Sequence, residues 1–169
     1  MTVEELYVNA FDSTYIEWTE VPPTPYLDNN DLNYIYVTTS KINMFKEGCW
    51  TFPSSSGSGT INSVKLRFES KRSNVSGDAG VSVYVWDGSS WFFYDGALFP
   101  ISTSYGWEEL DVSSILNSWA KINAAKIYLE TQTAIGITDT VYYRRCTRKV
   151  DYGVVAVIAS KRLLVGVGL

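Results

Sequence analysis

The chain has 169 residues, a formal net charge of −4 and 46% hydrophobic residues, enough apolar mass for one core without metal or disulfide staples. It has no histidine and only two cysteines, so a Ser–His–Asp or Cys–His nucleophile cannot be assembled and a structural zinc site is excluded. The acidic balance disfavours nucleic acid as a partner, and no run of about 18 apolar residues is present that could span a bilayer.

Twelve Tyr, six Trp and seven Phe lean the composition towards strands, whose pleated, half-buried surfaces suit aromatic and β-branched side chains. Met1–Leu6 is acidic, lacks a long apolar stretch and does not read as a secretory signal. Glu5–Asn9, Tyr15–Glu20, Tyr34–Ser40 and Gly48–Phe52 are plausible strands. Residues 21–31 form a loop by their prolines and Asx residues. In this stretch Asp28, Asn30 and Asp31, with Asn29 and Asn33 beside them, offer the side-chain oxygens that Ca²⁺ prefers. Their spacing departs from an EF-hand loop, and the same residue types make ordinary turns. Ser54–Gly59 reads as a flexible Ser/Gly connector.

The clearest strand is Ile61–Ser70, where Val64, Leu66 and Phe68 alternate with Lys65, Arg67 and Glu69. Asn74-Val75-Ser76 then fits a glycosylation acceptor. Gly80–Trp86 alternates Val81, Val83 and Val85 with Ser82, Tyr84 and Trp86. Asp87-Gly88-Ser89-Ser90 follows and leads into Trp91–Tyr94, a hairpin signal because Gly tolerates the positive φ of such turns. A short helix is predicted near 112–120, capped by Asp111 or Ser113, with Ile115, Leu116 and Trp119 on one face. Ile127, Leu129 and Thr131 form another alternating set, and Thr140–Val150 reads as a late strand. About nine antiparallel strands with one short helix indicate an all-β fold, a jelly roll or β-sandwich, over residues 1–152. Cys49 and Cys146 either pair, if the strands that carry them are neighbours, or remain two buried free thiols.

Three clusters bear on function. Trp86, Trp91, Phe93 and Tyr94 flank one hairpin and could stack on sugar rings, although alternation requires some of them to be core. Glu108, Glu109 and Asp111 include carboxylates, but Glu108 and Glu109 are adjacent and point to opposite faces, so they cannot flank a glycosidic bond, and a non-enzymatic role is expected. From Arg144 onward six cations face only Asp151, a net +5 against −9 for residues 1–143. Such polarity either steers subunits together or marks a solvated basic strand edge.

The tail, 153–169, is apolar and does not alternate. Val154, Val155, Val157, Ile158, Leu163, Leu164 and Val165 could add a strand to the sheet of a neighbouring copy, giving a homo-oligomer or filament. Alternatively the tail folds back as a last strand or is a poorly ordered terminus.

Tyr7–Asp12, Trp18, Tyr26–Asp31 and Tyr34-Ile35 together resemble the opening of jelly-roll domains in phage and viral structural proteins, with Val8 where a proline would stand and Phe11 interrupting an Ala-Asp pair. Ile61–Leu66, Val85–Trp91 and Trp107–Leu116 resemble carbohydrate-binding-module-like surface domains. The first resemblance implies a virion, appendage or surface-filament subunit that assembles with its own copies, located in a virion or at a surface. The second implies a carbohydrate-binding or adhesive module with polysaccharide as its partner. Neither implies a cofactor, beyond a Ca²⁺ ion if the Asp28–Asp31 cluster binds one.

Overall fold

The computed structural model describes residues 1–11, 19–21, 34–39, 46–73, 79–94, 99–133 and 139–153. In chain order the elements are β1 (Thr2–Tyr7), β2 (Ala10–Phe11), β3 (Thr19–Val21), β4 (Tyr34–Thr39), β5 (Lys46–Thr51), β6 (Thr60–Arg72) and β7 (Ala79–Trp86). They continue with β8 (Trp91–Phe93), β9 (Phe99–Pro100), β10 (Gly106–Asp111), α1 (Trp119–Ala124), β11 (Lys126–Thr133) and β12 (Asp139–Gly153). The first sheet runs β10-β6-β12-β4-β3, with β1 also paired to β12. The second runs β2-β5-β11-β7-β8, with β9 also paired to β7. Every pairing is antiparallel. This is the all-β sandwich that the alternation predicts; β10 and the two-residue strands β2 and β9 are too short or too weakly patterned to stand out in the sequence.

The core lies between the sheets. Val64, Leu66 and Phe68 from β6 meet Val81, Val83 and Val85 from β7 and Ile127 and Leu129 from β11, all fully buried. Each such side chain contributes roughly 1.5–3 kcal/mol of burial free energy. The sheets are also joined by a polar contact, a 2.7 Å hydrogen bond between the buried Thr131 and Tyr143 hydroxyls.

β12 needs a correction in phase to bury the right residues. Val141 and Tyr143 face inward at odd positions, whereas Cys146, Arg148, Val150 and Tyr152 are buried at even ones. A register shift against β6 between Tyr143 and Arg145 accounts for the change. One extra residue on a strand flips every later side chain to the other face. Without it Arg145 and Lys149 would point into the core.

Arg148 is the one inward cation of that series and is fully buried. Its guanidinium donates to the carbonyl oxygens of Ile122 in α1 and of Pro53 (2.9 Å for the latter), and lies over the Phe52 ring at 5.3 Å. Burial pushes its pKa down to about 10, against the opposing pull of the Glu4 carboxylate. Glu4 in turn accepts hydrogen bonds from Ser55 Oγ and from the N–H and Oγ of Ser56.

One expectation is corrected. The helix begins later than predicted: Ser118 caps it, its Oγ accepting from Lys121 N, and the carboxylate of Asp111 accepts instead from Ser113 in a tight turn. Residues 112–116 close only a single turn, with Leu116 N–H donating to Val112 O. Ile115 and Leu116 therefore pack from that turn, and only Trp119 belongs to α1. Both cysteines are buried and are not joined by a disulfide. Cys146 belongs to the interior of the first sheet, whereas Cys49 follows the outward phase of the second, next to the inward Trp50. Residues 154–169, which include the seven candidate assembly residues of the tail, lie outside the described residues. No helix among the described residues is long and apolar enough to cross a membrane.

Arg148→Met should therefore be costly despite its similar bulk, because the Ile122 and Pro53 carbonyls lose a charged donor in a buried place. The expected loss is about 3 kcal/mol, read as a lower urea midpoint at unchanged slope.

Acid should weaken the fold through carboxylates, Glu4 beside Arg148 among them. Glu4 is raised by burial but lowered further by Ser55, Ser56 and Arg148, so its carboxyl lies below the ordinary 4.5. The Lys65 hydrogen bond leads in lowering Glu109, and the Ser113 hydroxyl in lowering Asp111 below 3.8. Folded values below unfolded ones mean stability that is present above the unfolded pKa and lost as pH falls through the folded value. Urea midpoints should be level above about pH 5 and fall below about pH 4, and Glu4→Gln should reduce that fall.

Candidate functional site

In β7 the residues that alternate with the buried valines are Ser82, Tyr84 and Trp86. Antiparallel register places Tyr84 opposite both Phe93 of β8 and Tyr128 of β11, Trp86 opposite Trp91 and Lys126, and Ser82 opposite Glu130. Directly opposed residues share a face. The outward face of the second sheet thus carries Tyr84, Trp86, Trp91, Phe93 and Tyr128 together. Their rings form one continuous run: Phe93–Tyr84 at 4.9 Å, Tyr84–Tyr128 at 5.2 Å edge-on, Tyr128–Trp91 at 5.8 Å edge-on and Trp91–Trp86 at 5.4 Å. Trp91 and Phe93 stay 37% and 47% exposed, unusual for side chains of this size. A recess with a volume of about 420 Å³ opens on this face, lined by Tyr84, Trp91, Tyr128 and Glu130.

Three of the four aromatic candidates read from the hairpin, Trp86, Trp91 and Phe93, are brought together here. Tyr94 is not. Its N–H donates to Val83 O at 2.9 Å, which places it beside an inward valine, and its side chain packs against the core. Phe92, opposite Val85, points away from the site yet remains 38% exposed at the sheet edge. Tyr84 and Tyr128 are the contributors that the hairpin alone does not reveal. Their signal was the period of two: each lies between buried aliphatic residues, which forces it outward.

The hairpin that holds Trp86 and Trp91 is locked at its tip. Asp87 Oδ1 accepts from Ser89 N (2.9 Å), Ser89 Oγ (2.8 Å) and Ser90 N (2.9 Å), while Oδ2 takes a 2.8 Å ion pair from Lys121 of α1. Lys121 leads these contacts in holding the Asp87 carboxyl far below the ordinary range. Gly88 adopts φ 99°, a left-handed conformation that a side chain would strain, and an added Cβ would come within 2.9 Å of Ala124. The helix thus fixes the turn from which both tryptophans project.

Other candidates are accounted for elsewhere. Glu109 and Arg67 point out from the first sheet, where Glu109 pairs with Lys65 (2.5 Å) and Arg67 (3.3 Å). Glu108 registers opposite Phe68, and burial raises its carboxyl pKa. The Asp28, Asn30 and Asp31 cluster and the Asn74-Val75-Ser76 triplet lie outside the described residues. Among the described residues no group of three His, Cys, Asp or Glu side chains could hold a metal ion. Burial pushes the Cys146 thiol up, which makes it a poor nucleophile.

No protein-family model and no curated protein matches the chain by sequence. By structure it is similar to a variant of the family 29 carbohydrate-binding module CBM29-2 complexed with mannohexaose, at TM-score 0.51 and 13% identity over 88% of this chain and 93% of that one. It is also similar to the family 11 carbohydrate-binding module from Clostridium thermocellum in complex with a β-1,3-1,4-mixed-linked tetrasaccharide, at TM-score 0.48 and 12% identity over 91% of each chain. At such identity the first likeness shows the fold alone: a β-sandwich of the type found in carbohydrate-binding modules. It lends nothing to the phage and viral resemblance.

Proposed function

We propose that the chain is a non-enzymatic carbohydrate-binding domain that holds a glycan against the outward face of its second sheet. The observation that carries this reading is the run of five aromatic rings, two of them openly exposed, three of which (Tyr84, Trp91 and Tyr128) line a recess with Glu130. The C–H faces of sugar rings are apolar and pack on aromatic faces, while their hydroxyls need hydrogen-bond partners such as a carboxylate or a tyrosine hydroxyl. A concave aromatic surface with a few polar groups meets both needs. The sandwich of a module that holds mannohexaose offers a precedent for the architecture. The absence of histidine from the sequence and the commitment of Glu109 and Asp111 to local partners support a binding role rather than catalysis.

The reading as a virion, appendage or filament subunit rests on the resemblance of the opening segments and on the apolar tail, and residues 12–18, 22–33 and 154–169 lie outside the described residues. The structural likenesses described above are to carbohydrate-binding modules and lend it no support.

Trp91→Ala and Tyr128→Ala should each weaken binding roughly tenfold, the cost of removing a central aromatic contact. Titration calorimetry against β-linked gluco- and manno-oligosaccharides measures this. Phe92→Ala, on the same strand but the opposite face, should leave affinity unchanged. Equal loss from Phe92→Ala, or no effect of Trp91→Ala and Tyr128→Ala, would sink the assignment of this face.

A further inference from the structure

On β11 the outward residues are Lys126, Tyr128 and Glu130, two residues apart and so about 6.7 Å from one to the next along the strand. They do not stand equally close to the recess. Lys126 registers opposite Trp86, at the end of the aromatic run, whereas Glu130 lines the recess with Tyr84, Trp91 and Tyr128. Among the described residues that line it, Glu130 carries the only charge.

We infer that Glu130 is a specificity-determining residue, and that the recess takes a neutral glycan and rejects one bearing uronate groups. This rests on the glycan-binding reading of the same face and names the substrate class. A carboxylate is an acceptor only, so it matches donors. A neutral sugar ring seated on Tyr84 and Tyr128 brings hydroxyl donors to its edge, and a hydrogen bond to a charged acceptor is about twice as strong as one between neutral groups. A uronate at the same position sets a second carboxylate against the first, a repulsion that is strongest at low salt. The chain as a whole adds to the bias, since its net charge is −4.

The test uses the full chain and two ligands of equal length, a neutral β-linked manno-hexasaccharide and an oligogalacturonate hexamer, at low and moderate salt. The wild type should bind the neutral ligand at least tenfold more tightly. Glu130→Gln should weaken the neutral ligand severalfold and narrow the gap, and Glu130→Lys should bring the uronate ligand level or ahead. Thermal melting of each variant separates loss of binding from loss of fold. Equal affinity of the wild type for both ligands, or an unchanged preference in Glu130→Lys, overturns the inference while leaving glycan binding intact. Binding of neither ligand, nor of any glucan, overturns the glycan reading and this inference with it.

Discussion

In β7 the pleat sends Val81, Val83 and Val85 into the space between the sheets and Ser82, Tyr84 and Trp86 away from it, so core and candidate site are alternate residues of one strand. β11 repeats the division, with Ile127, Leu129 and Thr131 inward and Lys126, Tyr128 and Glu130 outward. A slip of one residue in either strand would exchange the two sets. The free energy of burying the valines therefore holds the register, and the register aims the aromatics. The hydrophobic interior is in this sense the positioning device of the outer face.

The sandwich also needs its end closed, and that closure reaches the site. α1 has six residues, too few to be stable alone. It is held by the burial of Ile122, by Trp119, whose indole N–H donates to Gly59 O at 2.9 Å, and by the Arg148 guanidinium on the Ile122 carbonyl. The connector that the sequence suggests to be flexible is packed here: a side chain at Gly57 would meet the Trp119 ring at 2.3 Å, and Glu4 binds Ser55 and Ser56. From this anchored helix Lys121 reaches Asp87 and sets the hairpin. A physical path thus runs from a buried cation through α1 to the turn between Trp86 and Trp91.

The outward faces of the two sheets differ in kind. The first is laced with ion pairs, Lys65–Glu109, Arg67–Glu5 and the two-pronged Arg144–Glu69, and its rings are covered by cations: Arg67 over Trp107, Lys71 over Tyr105 and Tyr142, Arg144 over Tyr105. The exposed pairs Lys65–Glu109 and Arg67–Glu5 contribute about 0–1 kcal/mol each and serve solubility as much as stability, whereas Glu69 is buried beneath Arg144. The second offers rings that pack on one another and remain open to solvent. That contrast, rather than aromatic content, singles out one face.

Period-two alternation made β6, β7 and β11 legible, and with them the sandwich, because burial on one face imposes a local pattern on the chain. The outward phase of Trp86 was legible for the same reason, and the Asp87-Gly88 turn from its glycine, which tolerates the positive φ the turn needs. The start of α1 was not: Asp111 and Ser113 are good caps, but Asp111 ends β10, residues 112–116 close a single turn, and α1 starts only after its Ser118 cap. Nor could the sequence foresee the phase change in β12, since a bulge is defined by the partner strand. The sequence by itself determined which residues face in and which face out along β6, β7 and β11. Only the tertiary structure decided which strands are neighbours, and so brought Tyr128, about forty residues from Tyr84 and Trp86, into the same aromatic run. Strand pairing is a long-range interaction, and nothing in a local pattern of two encodes it.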